Sequence, residues 1–197
     1  MPMLPADPPP RLAPLGDDEL TPEMKAMFER WKTGPFKGAD TNPVLRTFIH
    51  NPVVADLFST LNIHVLVTST VPVRQRQIAI MRTAWLTKAT YMWSSHLNTS
   101  QSFGLETGLF EPIKHGADDP YFSDFEKTVI RATEDLVERH EIGEDNWNRL
   151  MAEWTPAQMM DFLFTVGAYV TVAGVMRSCG VQRQDDLLAL AERFGAP

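Results

Sequence analysis

Apolar residues recur along most of this chain at three- and four-residue intervals, the period of a helix with one buried face. The segment from Pro72 to Phe103 shows it best. Gln77 or Ile78, then Met81, Trp85, Ala89, Met92 and His96 fall on one line, apolar except at its ends. One straight helix would hold Gln77 and His96 roughly 28 Å apart, too far to share a site. Thr87-Lys88-Ala89-Thr90 is the natural break, with Thr87 or Thr90 capping a new helix.

Helix starts are marked elsewhere by caps and prolines. Thr21-Pro22, Asn42-Pro43 and Asn51-Pro52 each place proline at a first helical position behind a capping side chain. Ser123 to Glu126 and Thr155 to Gln158 have the spacing of capping boxes. Val71-Pro72 opens a further segment, and Gly104 and Gly116 stand where helices should end. β-branched alternation is weak, and Ile63–Val67 lies in helical context. The expectation is an all-α fold, a single domain of about nine or ten helices over residues 21–197. It follows a proline-rich extended arm, residues 1–20, in which six of the fifteen prolines fall within the first fourteen positions. Such an arm either wraps a neighbour or stays mobile.

Composition narrows the function classes. The 197 residues are 44% hydrophobic and carry a net charge of −7, enough for a sizeable core and the wrong sign for a nucleic-acid binder. Met159–Met176 is apolar and near the length of a membrane span. Asp161, Tyr169 and its glycines make it read as a buried helix. The N-terminus lacks the basic-then-apolar pattern of a signal peptide, so a cytoplasmic protein with no membrane partner is expected. A single cysteine, Cys179, excludes a disulfide framework, a Cys-rich zinc site and an internal dithiol pair.

The chemistry therefore starts from the five histidines. His50, His115 and His140 fall at predicted helix C-termini, where an imidazole offsets the helix dipole. His64, among Ile63, Val65 and Leu66, reads as a core or interface residue or as part of a binding site. His96 follows Tyr91-Met92-Trp93-Ser94-Ser95, so an indole, a thioether and hydroxyls lie within a turn of the imidazole. An apolar wall with one convergent imidazole suits a small organic ligand; a satisfied core histidine is the alternative. Gly34-Pro-Phe-Lys37-Gly38 has the wrong spacing for a phosphate loop. No nucleophile elbow or His-Glu-x-x-His occurs, and no cofactor or metal is expected.

The run from Val71 through Arg74, Arg76, Gln77, Arg82 and Trp85, then Tyr91-Met-Trp93-Ser-Ser-His96 and Phe103-Gly104, resembles the carboxymuconolactone decarboxylase and alkylhydroperoxidase D-like (AhpD-like) superfamily. The resemblance extends over about Leu45 to Val181, with Leu163 to Tyr169 similar to that superfamily's late helix. It implies an AhpD-like helical bundle that assembles as a dimer, trimer or hexamer. Some members are cofactor-free decarboxylases of lactone acids; others are hydroperoxidases with a relay of Glu, Cys-x-x-Cys and His. Carried onto this chain, the Glu position is Gln77, the two Cys positions are Ala89 and Met92, and the His is His96. Without thiols there is no nucleophile for peroxide, and hydroperoxidase activity is not expected.

The resulting expectation is a cofactor-independent lyase, decarboxylating or isomerising, acting on a small aromatic-derived or lactone acid. His96 is the candidate general acid/base, with Tyr91 as hydrogen-bond donor and Gln77 as orienting residue. Trp93, Trp85 and Met92 are candidate pocket walls, and Arg82, Arg46 and His64 candidate substrate contacts. Arg82 is preferred over Arg74 and Arg76, which at a helix start read as solvated. The alternative is a non-catalytic oligomeric binding or scaffold protein that kept the fold and lost the relay.

Overall fold

The computed structural model describes residues 7–32 and 38–197. The tip of the arm, residues 1–6, and the Gly34-to-Lys37 stretch lie outside them. The described residues form ten α-helices and no strand. These are α1 (Pro22–Lys32), α2 (Pro43–Phe48), α3 (Pro52–Ile63), α4 (Val73–Leu86), α5 (Thr90–Ser102), α6 (Phe110–His115), α7 (Asp124–Arg139), α8 (Glu144–Glu153), α9 (Pro156–Cys179) and α10 (Asp185–Phe194). Short 3-10 turns precede α2 and α6, and a π-helical turn, His64–Thr68, continues α3.

The expected caps form. Asn42 Oδ1 accepts from the backbone of Val44 and Leu45, and Asn51 from that of Val54. Ser123 with Glu126 and Thr155 with Gln158 complete reciprocal capping boxes, satisfying donors a helix start leaves unpaired. At the other end of α9, Gly180 turns left-handed at φ 69° and returns its N–H to Met176.

Helix α4 is the centre of the molecule. Every residue from Arg76 to Ala84 is buried, because α5, α7 and α9 all pack on it. A helix covered all round needs no polar stripe, which is why the periodicity of this segment is clearer than its amphipathicity. Helix α9 is long and apolar enough to cross a membrane, with a mean hydropathy of 1.6. In the fold it packs against α4, α7 and α8, and it is buried along one side only, with 44% of its apolar window covered.

The chain does break between α4 and α5, though by another device. Lys88 turns left-handed at φ 56° and Ala89, with no side-chain cap, opens α5. Thr87 and Thr90 do not cap. Thr87 Oγ1 donates back to Thr83 O within α4 at 2.7 Å, and Thr90 Oγ1 donates to Asp7 Oδ1 at 2.9 Å. Both hydroxyls are turned to these acceptors, and neither accepts from the first amides of α5.

Asp7 belongs to the arm, whose described part lies along its own chain. The Asp7 carboxylate also meets Arg183 Nε at 2.8 Å and the Arg183 N–H at 2.9 Å. The N–H groups of Arg11 and Leu12 donate to Cys179 O. A side chain at position 180 would place Cβ 2.1 Å from Pro9 O; only glycine allows the arm so close.

Candidate functional site

The break turns α5 back along α4 and closes the distance a straight helix would keep open. His96 Nδ1 lies 2.9 Å from Gln77 Oε1, which also accepts from Ser100 Oγ at 3.2 Å. Two donors on one amide oxygen assign the Nδ1 proton to this bond and leave Nε2 as the basic nitrogen. Gln77 Nε2 has no partner among the described residues.

His96 forms part of the wall of a cavity of about 680 Å³. Tyr91, Met92, Ser95 and Thr99 line it from α5, and Tyr169, Val172 and Met176 from α9. Phe58 and Asn62 of α3 and Leu66 and Val67 of the π turn close another side. The wall alternates apolar side chains with polar ones, Asn42, Asn98 and Ser102 among them, and small-molecule sites combine the two for burial and orientation. The Tyr169 ring stands edge-on to the imidazole, centroids 5.1 Å apart, and its hydroxyl donates to Asn62 Oδ1 at 3.4 Å. Burial pushes His96 down to about 3, so the imidazole is neutral at physiological pH. Burial pushes the Tyr91 phenol up to about 12, against the opposing bond to Gln184 Oε1 at 3.1 Å.

Of the residues expected from sequence, His96, Tyr91 and Met92 line the cavity, and Gln77 stands directly behind His96. The others lie elsewhere. Trp93 is fully buried and donates Nε1–H to Gly195 O at 2.8 Å, edge-on to Trp85. Lys88 and Lys114 cover the Trp85 ring. Arg82 pairs with Glu134 at 2.7 Å and ties the Ile113 and Lys114 carbonyls. Arg46 holds the arm through Asp17 and Leu15 O. His64 bonds Asp161 at 2.7 Å and Thr68 at 2.9 Å, joining the π turn to α9. These five side chains build the fold around the cavity and do not face it.

Sequence reasoning passes over Tyr169, Asn62 and Ser100. Ser100 was legible in principle, one turn beyond His96 on the same helix face. Tyr169 and Asn62 come from remote segments with no local signal.

No family model matches the sequence, and no curated protein matches it. Solved structures do. The debrominase Bmp8, as a cysteine-to-alanine variant in complex with 2,3,4-tribromopyrrole, superposes with a TM-score of 0.77 at 10% identity, over 95% of this chain and 99% of that one. An uncharacterised peroxidase-related protein from Silicibacter sp. TM1040 gives 0.71 at 13% identity, over 91% and 96%. A protein of unknown function from Agrobacterium tumefaciens, provisionally assigned as the antioxidant defence protein AhpD, gives 0.63 at 13%, over 77% and 98%. At such identities the likeness speaks to architecture, and on it the protein has the AhpD-like helical fold that its Tyr91-to-His96 segment resembles.

Proposed function

We propose that the protein is a cofactor-independent enzyme of the lyase or isomerase type, acting on a small aromatic-derived or lactone acid, with His96 as its proton-transfer group. The observation that carries the reading is the neutral imidazole of His96, held by Gln77 in the wall of a cavity of about 680 Å³. The Nδ1 proton of His96 is committed to Gln77 and Nε2 is bare at neutral pH, so His96 acts first as a base, one that an anionic ligand beside it strengthens. It takes a proton from carbon next to a carbonyl, and Gln77 Oε1 supports the imidazolium through the Nδ1 proton. It then returns that proton at a second carbon, which is an isomerisation. Loss of CO2 instead requires the imidazolium at the outset, which an anionic ligand beside it would favour. That the Bmp8 variant is in complex with 2,3,4-tribromopyrrole supports a small ring as the occupant here. Thiol chemistry is not part of the proposal, because the resemblance puts Ala89 and Met92 at the relay's thiol positions and the sequence has one cysteine, Cys179.

The test is turnover of lactone and β-keto acids by wild type and His96→Ala. Turnover in wild type and a loss of about 100-fold or more in the variant is expected. Equal turnover in both removes His96 from the chemistry, and binding without turnover favours the non-catalytic alternative. We further propose that the enzyme is a cytoplasmic homo-oligomer. The apolar side chains Val53 and Leu57 on α3 and Phe164 on α9 are 69%, 68% and 55% exposed, as residues awaiting a second copy would be.

A further inference from the structure

The other buried arginines of this fold, Arg82 and Arg183, are matched to carboxylates, Glu134 and Asp7. Arg74 also pairs with Glu106 and Glu126, and Arg46 with Asp17. Arg76 is different. It is only 3% exposed and has no carboxylate partner among the described residues. Its NH2 donates to Leu66 O at 3.0 Å and its NH1 to Val71 O at 3.2 Å, while Nε–H has no acceptor. A guanidinium has five N–H groups, so two are used. Asp161, whose field reaches Arg76, is already bonded to His64 and Thr70. A buried charge left in this condition is costly unless something completes it.

The surroundings of Arg76 are cavity residues. Leu66, whose carbonyl it binds, and Phe103, whose ring lies 5.8 Å from its guanidinium carbon, both line the cavity. Tyr169, the neighbour of His96, is close enough to feel its charge. Unmet polar capacity is also concentrated here: Gln75 Oε1, Arg76 Nε and Gln77 Nε2, on three consecutive residues of α4, are buried without partners.

We propose that Arg76 is the anion-recognising residue of this cavity, and that its occupant is a small apolar-bodied organic acid bound as the anion. The proposal rests on reading the cavity as the substrate site and adds the charge of what enters. The acid group lies toward Arg76 at the Phe103 side, with the ring against the apolar wall next to His96. Arg76 stands behind the lining residues and not among them, so the proposal requires Phe103, 40% exposed and against the guanidinium, to move aside for the acid group. Arg82 and Arg46, the arginines that sequence favours for this role, already have their carboxylates.

Calorimetric titration with benzoate and with its neutral isostere benzamide tests this. Wild type is expected to bind benzoate at least about tenfold more tightly, the order of one charge-assisted hydrogen bond. Arg76→Met should bring the two ligands within about twofold, and Arg76→Lys should keep part of the preference. Absence of a benzoate preference in wild type, including absence of binding by both, overturns the proposal. So does a folded Arg76→Met that keeps the preference. Should Arg76→Met not fold, the Arg76 Nε–H resonance of wild type gives the answer. It should move with benzoate and not with benzamide, and a resonance unmoved by benzoate overturns the assignment. Turnover is not part of either readout, so failure of the lyase reading and failure of this one are separate results.

Discussion

An imidazole backed by an amide behaves differently from one backed by a carboxylate. A carboxylate at the place of Gln77 would hold the imidazolium in place; the amide leaves burial unopposed, and His96 stays neutral down to about pH 3. The unfolded chain takes up that proton near pH 6.5, the ordinary histidine value. Between the two the unfolded state binds more protons, so stability falls as pH falls, by at most about 1.4 kcal/mol per pH unit. From about a unit above pH 6.5 the group contributes no pH dependence. Urea denaturation at pH 6.5 and pH 5 should show this loss in wild type and a smaller one in His96→Gln; equal losses would mean that His96 is not buried neutral. The partnership of Gln77 with His96 is legible in the sequence because it needs only a helical line and a break in it. The character of Arg76 is not, since a basic residue in the first turn of a helix, next to Arg74, has the composition of a solvated face. Its burial comes from the π turn and Phe103, which no local pattern announces.

At the scale of elements, the cavity depends on one left-handed residue. Lys88 at φ 56° pays roughly 1 kcal/mol against sterics that glycine escapes, offset in part by its ammonium over the Trp85 ring. Lys88→Gly should therefore be tolerated, whereas a β-branched Lys88→Val should lose at least about 1 kcal/mol relative to it. Equal thermal stabilities for the two variants would mean that the turn is not held left-handed. That a break falls between Thr87 and Thr90 is readable from sequence. Its mechanism is not, because a threonine signals a cap only when nothing nearer takes its hydroxyl. Here α4 itself takes Thr87, and an aspartate more than eighty positions earlier takes Thr90.

For the whole molecule, helix number and class follow from caps and spacing, whereas which helix faces remain open does not. Phe164 and Leu57 have the same residue types as the core and differ only in what lies opposite them. In an assembled protein those faces are covered. Phe164→Asp should lower the mass seen by light scattering, with helical content unchanged. A wild-type monomer at micromolar concentration would remove the oligomer from the proposal.

The arm adds a constraint of order in time. Its anchors are Cys179 and Arg183, and the Asp7-to-Arg183 contact spans 176 positions. Asp7, Arg11 and Leu12 thus meet these partners only after residues 179–183 have been made. Closing so long a loop is slow to initiate and costs chain entropy. Asp7 also bonds the first residue of α5, while Arg11 and Leu12 bond the last residue of α9. The two helices that flank the His96 cavity are consequently fastened together late, after the core around α4 can form. A nascent or N-terminally clipped chain would have a core before it has a finished binding site.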